Sequence, residues 1–319
     1  MGFFQGRKVL VTGASGFIGS HLCERLAASG TDVHGISRRP RKDAHITWWP
    51  CDLSNPDQVE QVMDAIKPSV IYHLASYVTG TRSMDAVHPT FVANLASTVC
   101  LMTAAAKTGV DRFVTAGSLE EPDAQRGEYV PASPYGAAKF AATAYARMFH
   151  DVYALPVVHL RLFMVYGPAQ QDVMKLIPYV TLQSLRGDAP KISNGTREVD
   201  WIYVDDVVDG MIAAALAPGL HGKTIDIGSG NMESIRGVVE RIVRIANPEI
   251  RPEFGAIEDR AKDIVRQADV DHAAEHLDWT SQVGLEEGLR RTVAWYEKAE
   301  ASGELAFVSM PWWNHRPPS

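Results

Sequence analysis

At ~150 residues per domain, a chain of 319 residues suggests two domains or one large α/β unit. Apolar residues make up 46% and charged residues 22%, an ordinary globular balance that supports a sizeable core. Lys and Arg number 31 against 38 Asp and Glu, a formal charge of −7 without basic runs; that excludes a nucleic-acid grip, which needs a positive patch.

The elements start with a strand, Lys8–Val11, that runs through Thr12 into Gly13-Ala-Ser15-Gly16-Phe17-Ile18-Gly19 and then a helical stretch, His21–Ala28. A glycine turn between strand and helix lets backbone N–H groups approach a pyrophosphate, with the positive helix end behind them. Gly13, Ser15, Gly16, Phe17, Ile18 and Gly19 are therefore dinucleotide-site candidates. The second strand, Asp32–Ile36, ends at Ser37-Arg38-Arg39. An acid at this tip binds a ribose 2′-hydroxyl, whereas guanidinium groups fork onto a 2′-phosphate. Ser37, Arg38 and Arg39 thus point to NADP(H), with NAD as the alternative.

A helix over Pro56–Ala65, a strand over Val70–His73, a helix over Asn94–Lys107 and a strand over Arg112–Ala116 follow, the last leading to Ser118. Ser133-Pro134 reads as the N-cap and first residue of a helix, Tyr135–Tyr153. On it Tyr135 and Lys139 stand at i and i+4, on one face. An ammonium beside a phenol favours the phenolate, so the pair predicts a tyrosine lowered toward working range and usable as an acid or base. Ser118 falls at the carboxyl edge, where α/β sheets hold ligands. A strand over Val157–Phe163 closes this part. After Tyr166 the strands shorten and Gly, Pro and polar clusters rise; Asp200–Val204 and Thr224–Ile227 still read as buried strands, and Ser281–Ala301 as an amphipathic helix. Strands alternating with helices imply right-handed crossovers and a buried parallel sheet.

Together these residues resemble the extended short-chain dehydrogenase/reductase family, whose members act on nucleotide sugars. The resemblance spans nearly the whole chain: the glycine motif, Cys51-Asp52-Leu53, His73-Leu74-Ala75-Ser76, Asn94, Ser118, Tyr135 with Lys139, Arg161 through Pro168, Asp200 through Asp206, and Leu277-Asp-Trp279 with Gly284 through Leu289. It implies a Rossmann-type doubly wound parallel sheet with a smaller, interleaved C-terminal α/β substrate domain. The dinucleotide domain would take residues 1–165 with 200–230 returning to it, the substrate domain 166–199 and 231–309, and a tail 310–319. It also implies that Asp52 and Leu53 contact the adenine side and that Leu74, Ala75 and Ser76 line the cofactor. Lys139 anchors the nicotinamide ribose, Ser118 binds the substrate oxygen, and Tyr135 handles the proton.

Three departures from the family pattern bear on function. Met164 stands where many epimerases have a substrate-touching Asn. Ser118-Leu119-Glu120 replaces the Thr-Asp-Glu of 4,6-dehydratases, so Glu120 is a candidate base but Leu119 is no acid. Arg197 lies three residues before Asp200 rather than against it, and Arg260 matches a diphosphate arginine better. The expected function is an NADP(H)-dependent reductase of a 4-keto-6-deoxy nucleotide sugar, with Tyr135 as proton donor. The alternatives are a nucleotide-sugar epimerase with retained NAD(P), then a 4,6-dehydratase, then a non-catalytic dinucleotide binder. The resemblance also implies a homodimer paired through Asn94–Lys107 and Tyr135–Tyr153.

Cys23, Cys51 and Cys100 are odd in number with no CxxC spacing, and the eleven histidines are scattered without HExxH, so neither disulfide nor metal is expected. Gly at position 6 breaks the myristoylation pattern, and no apolar run near ~18 residues is read. A cytoplasmic protein with no membrane contact is the expectation.

Overall fold

The computed structural model describes residues 4–123, 127, 130–259, 263–303 and 305. A seven-stranded parallel sheet forms the first unit, in the order β10-β6-β5-β4-β1-β2-β3. Its strands are β1 (Lys8–Thr12), β2 (Asp32–Ser37), β3 (Ile46–Pro50), β4 (Val70–His73), β5 (Arg112–Ser118), β6 (Val157–Leu162) and β10 (Thr224–Ile227). Both faces are covered, which is why β1, β4 and β5 read as apolar runs rather than as alternating ones. From β1 the chain winds outward through β2 and β3, then returns to β4 on the other side. That reversal opens a crevice at the carboxyl ends of β1 and β4, where doubly wound sheets take ligands.

The covering helices are α1 (Phe17–Ala28), α2 (Pro56–Ile66), α3 (Val87–Thr90), α4 (Ser97–Thr108) and α5 (Pro134–Tyr153), with a π-helical turn, Phe91–Ala96, joining α3 to α4. Asn55 and Ser133 cap α2 and α5 by accepting from Gln58 N and Gly136 N, each ahead of a proline at the first helical position. Helix α1 starts at Phe17, four residues before the expected His21, because the glycine turn itself is its cap. The apolar core between sheet and helices includes Leu10, Ile36, Met63, Ile66, Ile71, Leu101, Phe113 and Phe149.

The helical stretch Met84–Thr108, 25 residues, is long and apolar enough by length and composition to cross a bilayer, contrary to the sequence expectation. Its polar residues explain why it belongs to the sheet instead. Thr90, Asn94, Ser97 and Thr98 are buried, each with its hydrogen bonds made, and α4 packs on α2 and α5. Leaving such groups unpaired would cost about 1–3 kcal/mol each.

The second unit contains 164–206, 229–267 and 281–319. It holds a three-stranded sheet of β7 (Met164–Tyr166), β9 (Glu198–Tyr203) and β11 (Met232–Ser234), and a short parallel pair, β8 (Lys191–Ile192) with β12 (Glu253–Phe254). Helices α6 (Leu176–Arg186), α8 (Ile235–Ala246) and α10 (Leu285–Ser302) belong to it and pack on one another. Helix α7 (Val204–Leu216) begins at its edge. The return expected over 200–230 begins only at Val207: β9 pairs with β7 and β11, not with the large sheet. A segment that sequence reading did not assign there, 268–280 with α9 (Val270–Leu277), belongs to the first unit. Below Tyr166 the chain is also far more helical than expected. Helix α8 buries Val238, Val239, Ile242 and Val243, an apolar stripe that the sequence shows on inspection.

Candidate active site

The glycine turn is built for close approach. Gly13 has φ +68°, and a Cβ there would stand 2.7 Å from Leu74 C and Ala75 N. A Cβ on Gly19 would come 2.1 Å from the Gly13 carbonyl, so α1 can reach the turn only with glycine at that position. Gly16 N donates to Gly13 O at 2.8 Å and caps α1 without a side chain, which leaves its first turn of N–H groups facing the crevice edge. Ser15, Phe17 and Ile18 complete the turn and the start of the helix. Glycine at these positions lets turn, helix and strand end pack backbone to backbone, the arrangement in which a helix N-terminus can face a dinucleotide pyrophosphate.

The strand ends bring the other candidates alongside. Leu74 N donates to Thr12 O and Ala75 N to Thr12 Oγ1, which seats Leu74-Ala75 against the turn. Cys51 N donates to Ser37 O, placing Asp52 and Leu53 beside the tip of β2. Asp52 accepts from Ser54 N and Oγ, and these bonds, with the Arg38 charge nearby, hold its carboxyl below the usual range. Arg39 N reaches Ser37 Oγ at 3.3 Å; residues 37–42 contain no acid, and Asp52 is the carboxylate beside them.

Beneath Leu74 a buried polar chain fixes the floor of the site. Thr98 Oγ1 donates to Asn94 O, so His73 Nε2 must donate to Thr98 Oγ1, and Thr12 Oγ1 then donates to His73 Nδ1 at 2.7 Å. Every member is satisfied by a neutral imidazole with its proton on Nε2. Burial and the Lys139 ammonium agree with that, pushing His73 down to about 3. Asn94 Oδ1 accepts from Ser76 Oγ and Tyr77 N, and its Nδ2 donates to Tyr77 O.

At the carboxyl end of β5, Tyr135 and Lys139 are both buried, and Tyr135 hydrogen-bonds the side chains of Ser118 and Ser76. Lys139 Nζ donates to Ala116 O at 2.8 Å and lies 5.9 Å from the Tyr135 ring centroid. The structure thus brings Ser118, Tyr135, Lys139 and Ser76 together. It does not lower the phenol: burial pushes Tyr135 up, Glu120 and Glu121 add to this, and the Ser118 and Ser76 bonds oppose it. The expectation of a phenol lowered by Lys139 is corrected on this point, because desolvation outweighs everything else acting on it. Lys139 is itself pushed down by burial to about 8, with Glu121 pulling the other way. Glu120 is engaged by Ser133, whose Oγ donates to it at 2.9 Å while capping α5.

Sequence reading passed over Glu121. It is 1% exposed, accepts from Ser118 N at 2.7 Å and Thr143 Oγ1 at 2.6 Å, and lies 3.3 Å from His159 Nε2. The signal was present in the sequence as a histidine inside the apolar run Val157-Val158-His159-Leu160.

In the second unit, Met164 pairs with Trp201 across β7 and β9. Arg197 Nη1 is bound to Asp263 at 2.9 Å, while its buried Nε has no partner among the described residues. Arg260 lies outside the described residues.

The profile of the NAD dependent epimerase/dehydratase family matches residues 9–228, over two-thirds of the chain. The chain belongs to that family. Its members are NAD(P)-dependent enzymes of the extended short-chain dehydrogenase/reductase type, and their substrates are nucleotide sugars. Among its relatives, the UDP-glucose 4-epimerase of Mycolicibacterium smegmatis is 33% identical over 318 residues, covering 91% of this chain and 98% of that protein. The UDP-glucose 4-epimerase of Thermotoga maritima, solved with UDP-glucose, superposes with a TM-score of 0.84 at 26% identity, covering 92% of this chain and 99% of that one. The UDP-glucuronic acid 4-epimerase of Bacillus cereus, solved with UDP-glucuronic acid and NAD, gives 0.81 at 26% identity, covering 91% and 99%.

Proposed function

We propose that this protein is a nucleotide-sugar 4-epimerase acting on a UDP-hexose or UDP-hexuronate, the alternative rather than the first of the readings drawn from the sequence. The observation that carries it is the Ser118–Tyr135–Lys139 group at the end of β5, next to a buried Leu119 that has no proton to give. Epimerisation needs one acid–base group and returns the proton it takes. A 4,6-dehydration needs a further acid to expel a hydroxyl. The names of the relatives support the same choice.

The glycine cradle, Asp52, Leu53, Leu74, Ala75, Ser76 and Lys139 would hold the dinucleotide, which when bound supplies the hydride acceptor and donor. Tyr135 takes the proton of the sugar hydroxyl as its phenolate, the form that Lys139 favours against burial, and gives it back to the same sugar oxygen after the sugar has turned. Ser118 donates to that oxygen, and the Lys139 ammonium offsets the negative charge of the Tyr135 phenolate before the proton is taken and after it is returned. Burial of Tyr135 and Lys139 keeps water from competing for the proton. The cofactor is NADP(H), by Ser37, Arg38 and Arg39 at a tip without an acid, with NAD as the alternative. The second unit serves as the substrate-binding part; Arg197, held by Asp263 through Nη1, keeps an unpartnered Nε for a diphosphate. Homodimer formation and a cytoplasmic location belong to the same reading.

The reductase remains a second reading, favoured by the same basic tip, since net reduction draws on NADPH. Incubating the protein with UDP-glucose or UDP-glucuronic acid without added cofactor, and resolving the C4 epimers by chromatography, separates the two. Interconversion supports the epimerase. Stoichiometric NADPH consumption on a 4-keto-6-deoxy nucleotide sugar, with no interconversion, overturns it. Titrating NADPH and NADH into the protein tests the cofactor, and equal or tighter binding of NADH refutes the NADP(H) assignment.

A further inference from the structure

Behind Tyr135 and Lys139 lies a buried cluster that the reaction itself does not touch. Glu121, in the first turn after β5, turns inward and is 1% exposed. Its carboxylate accepts from Ser118 N and from Thr143 Oγ1, one helical turn after Lys139 on α5. Thr143 Oγ1 in turn accepts from His159 Nε2 on β6 at 2.8 Å, so the ring carries its proton there, and its buried Nδ1 has no partner. The cluster fits only because residue 117 is glycine. A Cβ there would stand 2.2 Å from His159 Nε2 and 2.3 Å from Glu121 Oε1. A carboxylate taken this far out of water at such cost to its neighbours calls for a reason, since an apolar pair would pack as well.

We propose that Glu121 is a positioning residue: its fixed, buried carboxylate, tied through Thr143 Oγ1 to the Lys139 carbonyl and directly to the Ser118 N–H, holds both residues in place beside Tyr135 and is the anion that Lys139 meets there. Lys139 is buried, and a lone ammonium there would lose its proton. The groups that face the Tyr135–Lys139 pair are Glu120 and Glu121 from the segment after β5 and His73 from β4, with His159 on β6 behind Glu121. His73 is held neutral, and Glu120 is turned to Ser133, which leaves Glu121 as the anion that offsets the ammonium. The carboxylate stays ionised throughout: burial raises it, but His159, Thr143 and Ser118 N overcome this and hold it down to about 2. Glu121 also opposes the phenolate of Tyr135, so its charge raises both groups and favours the protonated form of each.

The proposal rests on the epimerase reading only for its use in turnover, and its test is a titration rather than a rate. Protein labelled at the lysine ε-carbon is titrated by NMR, with the Lys139 signal assigned by its loss in Lys139→Met. The native midpoint should fall near 8. Glu121→Gln should lower it by ~1 pH unit or more, as loss of a buried opposite charge requires, and Glu121→Asp should restore it. The alkaline limb of kcat should move the same way, with KM for the nucleotide sugar changing much less. If Glu121→Gln does not fold, the apolar double variant Glu121→Met/His159→Leu removes the same charge together with His159 and leaves Thr143 Oγ1 its bond to Lys139 O, and the same fall is expected. An unmoved Lys139 midpoint in any folded variant lacking the carboxylate overturns the proposal. So does loss of the fold in all three variants, which would assign Glu121 to folding alone. A shifted midpoint in a protein that fails to epimerise leaves the proposal standing and sinks only the epimerase reading.

Discussion

Tyr135 shows how a residue's chemistry depends on what surrounds it. Its hydroxyl is buried and bonded to Ser118 and Ser76, which orients it but gives it no base of its own. Removing that oxygen as Tyr135→Phe leaves the ring packing intact, so dinucleotide affinity measured by titration should stay near native. Turnover should fall by ~10²–10⁴, the usual contribution of a positioned acid–base group. Near-native turnover would pass the proton to another group, with Glu120 the nearest candidate. Sequence alone located this tyrosine and its lysine through their i, i+4 spacing. It could not predict the direction of the phenol's shift, because desolvation is a property of the packed site and not of neighbours on one helix.

At the scale of elements, α5 is anchored by one side chain that does two jobs. Ser133 Oγ accepts from Gly136 N as the helix cap and donates to Glu120 Oε2. Ser133→Ala should therefore cost about 0.5–2 kcal/mol in denaturant unfolding, the ordinary loss for a cap. It should also release Glu120 beside Tyr135. The measurement is the pair: an unfolding midpoint that falls, with a pH–rate profile that changes shape. A fall in stability with an unchanged profile would mean that Glu120 plays no part in the chemistry. Serine followed by proline announced the cap in the sequence, whereas the partner thirteen residues earlier could be seen only in the folded chain.

For the whole molecule, two buried groups make the fold acid-sensitive. His73 is held down to about 3 against an ordinary value of 6.5, so between those pH values the unfolded chain binds a proton that the folded one does not. Glu121 is held down to about 2 against 4.5, with the same consequence over that lower window. Stability is thus full above about 6.5, falls as pH drops through the His73 window, and falls further below 4.5. Thermal melts across this range should show a stepwise loss, and His73→Asn should flatten its upper part. A flat melting temperature between pH 7 and pH 4 would contradict the His73 assignment, and one flat between pH 4 and pH 2 that of Glu121. The proposed dimer belongs to this scale as well. Val87, Phe91, Tyr145 and Val152 expose apolar surface on the α3–α4 segment and on α5, which pack on each other. Light scattering should give twice the 35.0 kDa chain mass, and Phe91→Glu with Tyr145→Glu should halve it. A native mass of one chain would refute the pairing.

The sequence by itself determined the sheet apart from β3, the dinucleotide turn and the Tyr135–Lys139 face, because each is a local pattern: alternation of elements, glycines at fixed offsets, two residues one helical turn apart. It missed most of what lies beyond Tyr166, where α7 is apolar nearly all round and shows no stripe, and where 268–280 rejoins the first unit from far along the chain. It also passed over Glu121, which was readable as a charge but not as a buried one. Whether a carboxylate is solvated or enclosed depends on Ser118, Thr143, His159 and the missing Cβ of Gly117, which meet only when β5, α5 and β6 pack. Charge and spacing are written along the chain; desolvation is set by neighbours distant in sequence, and that is what the tertiary structure decided.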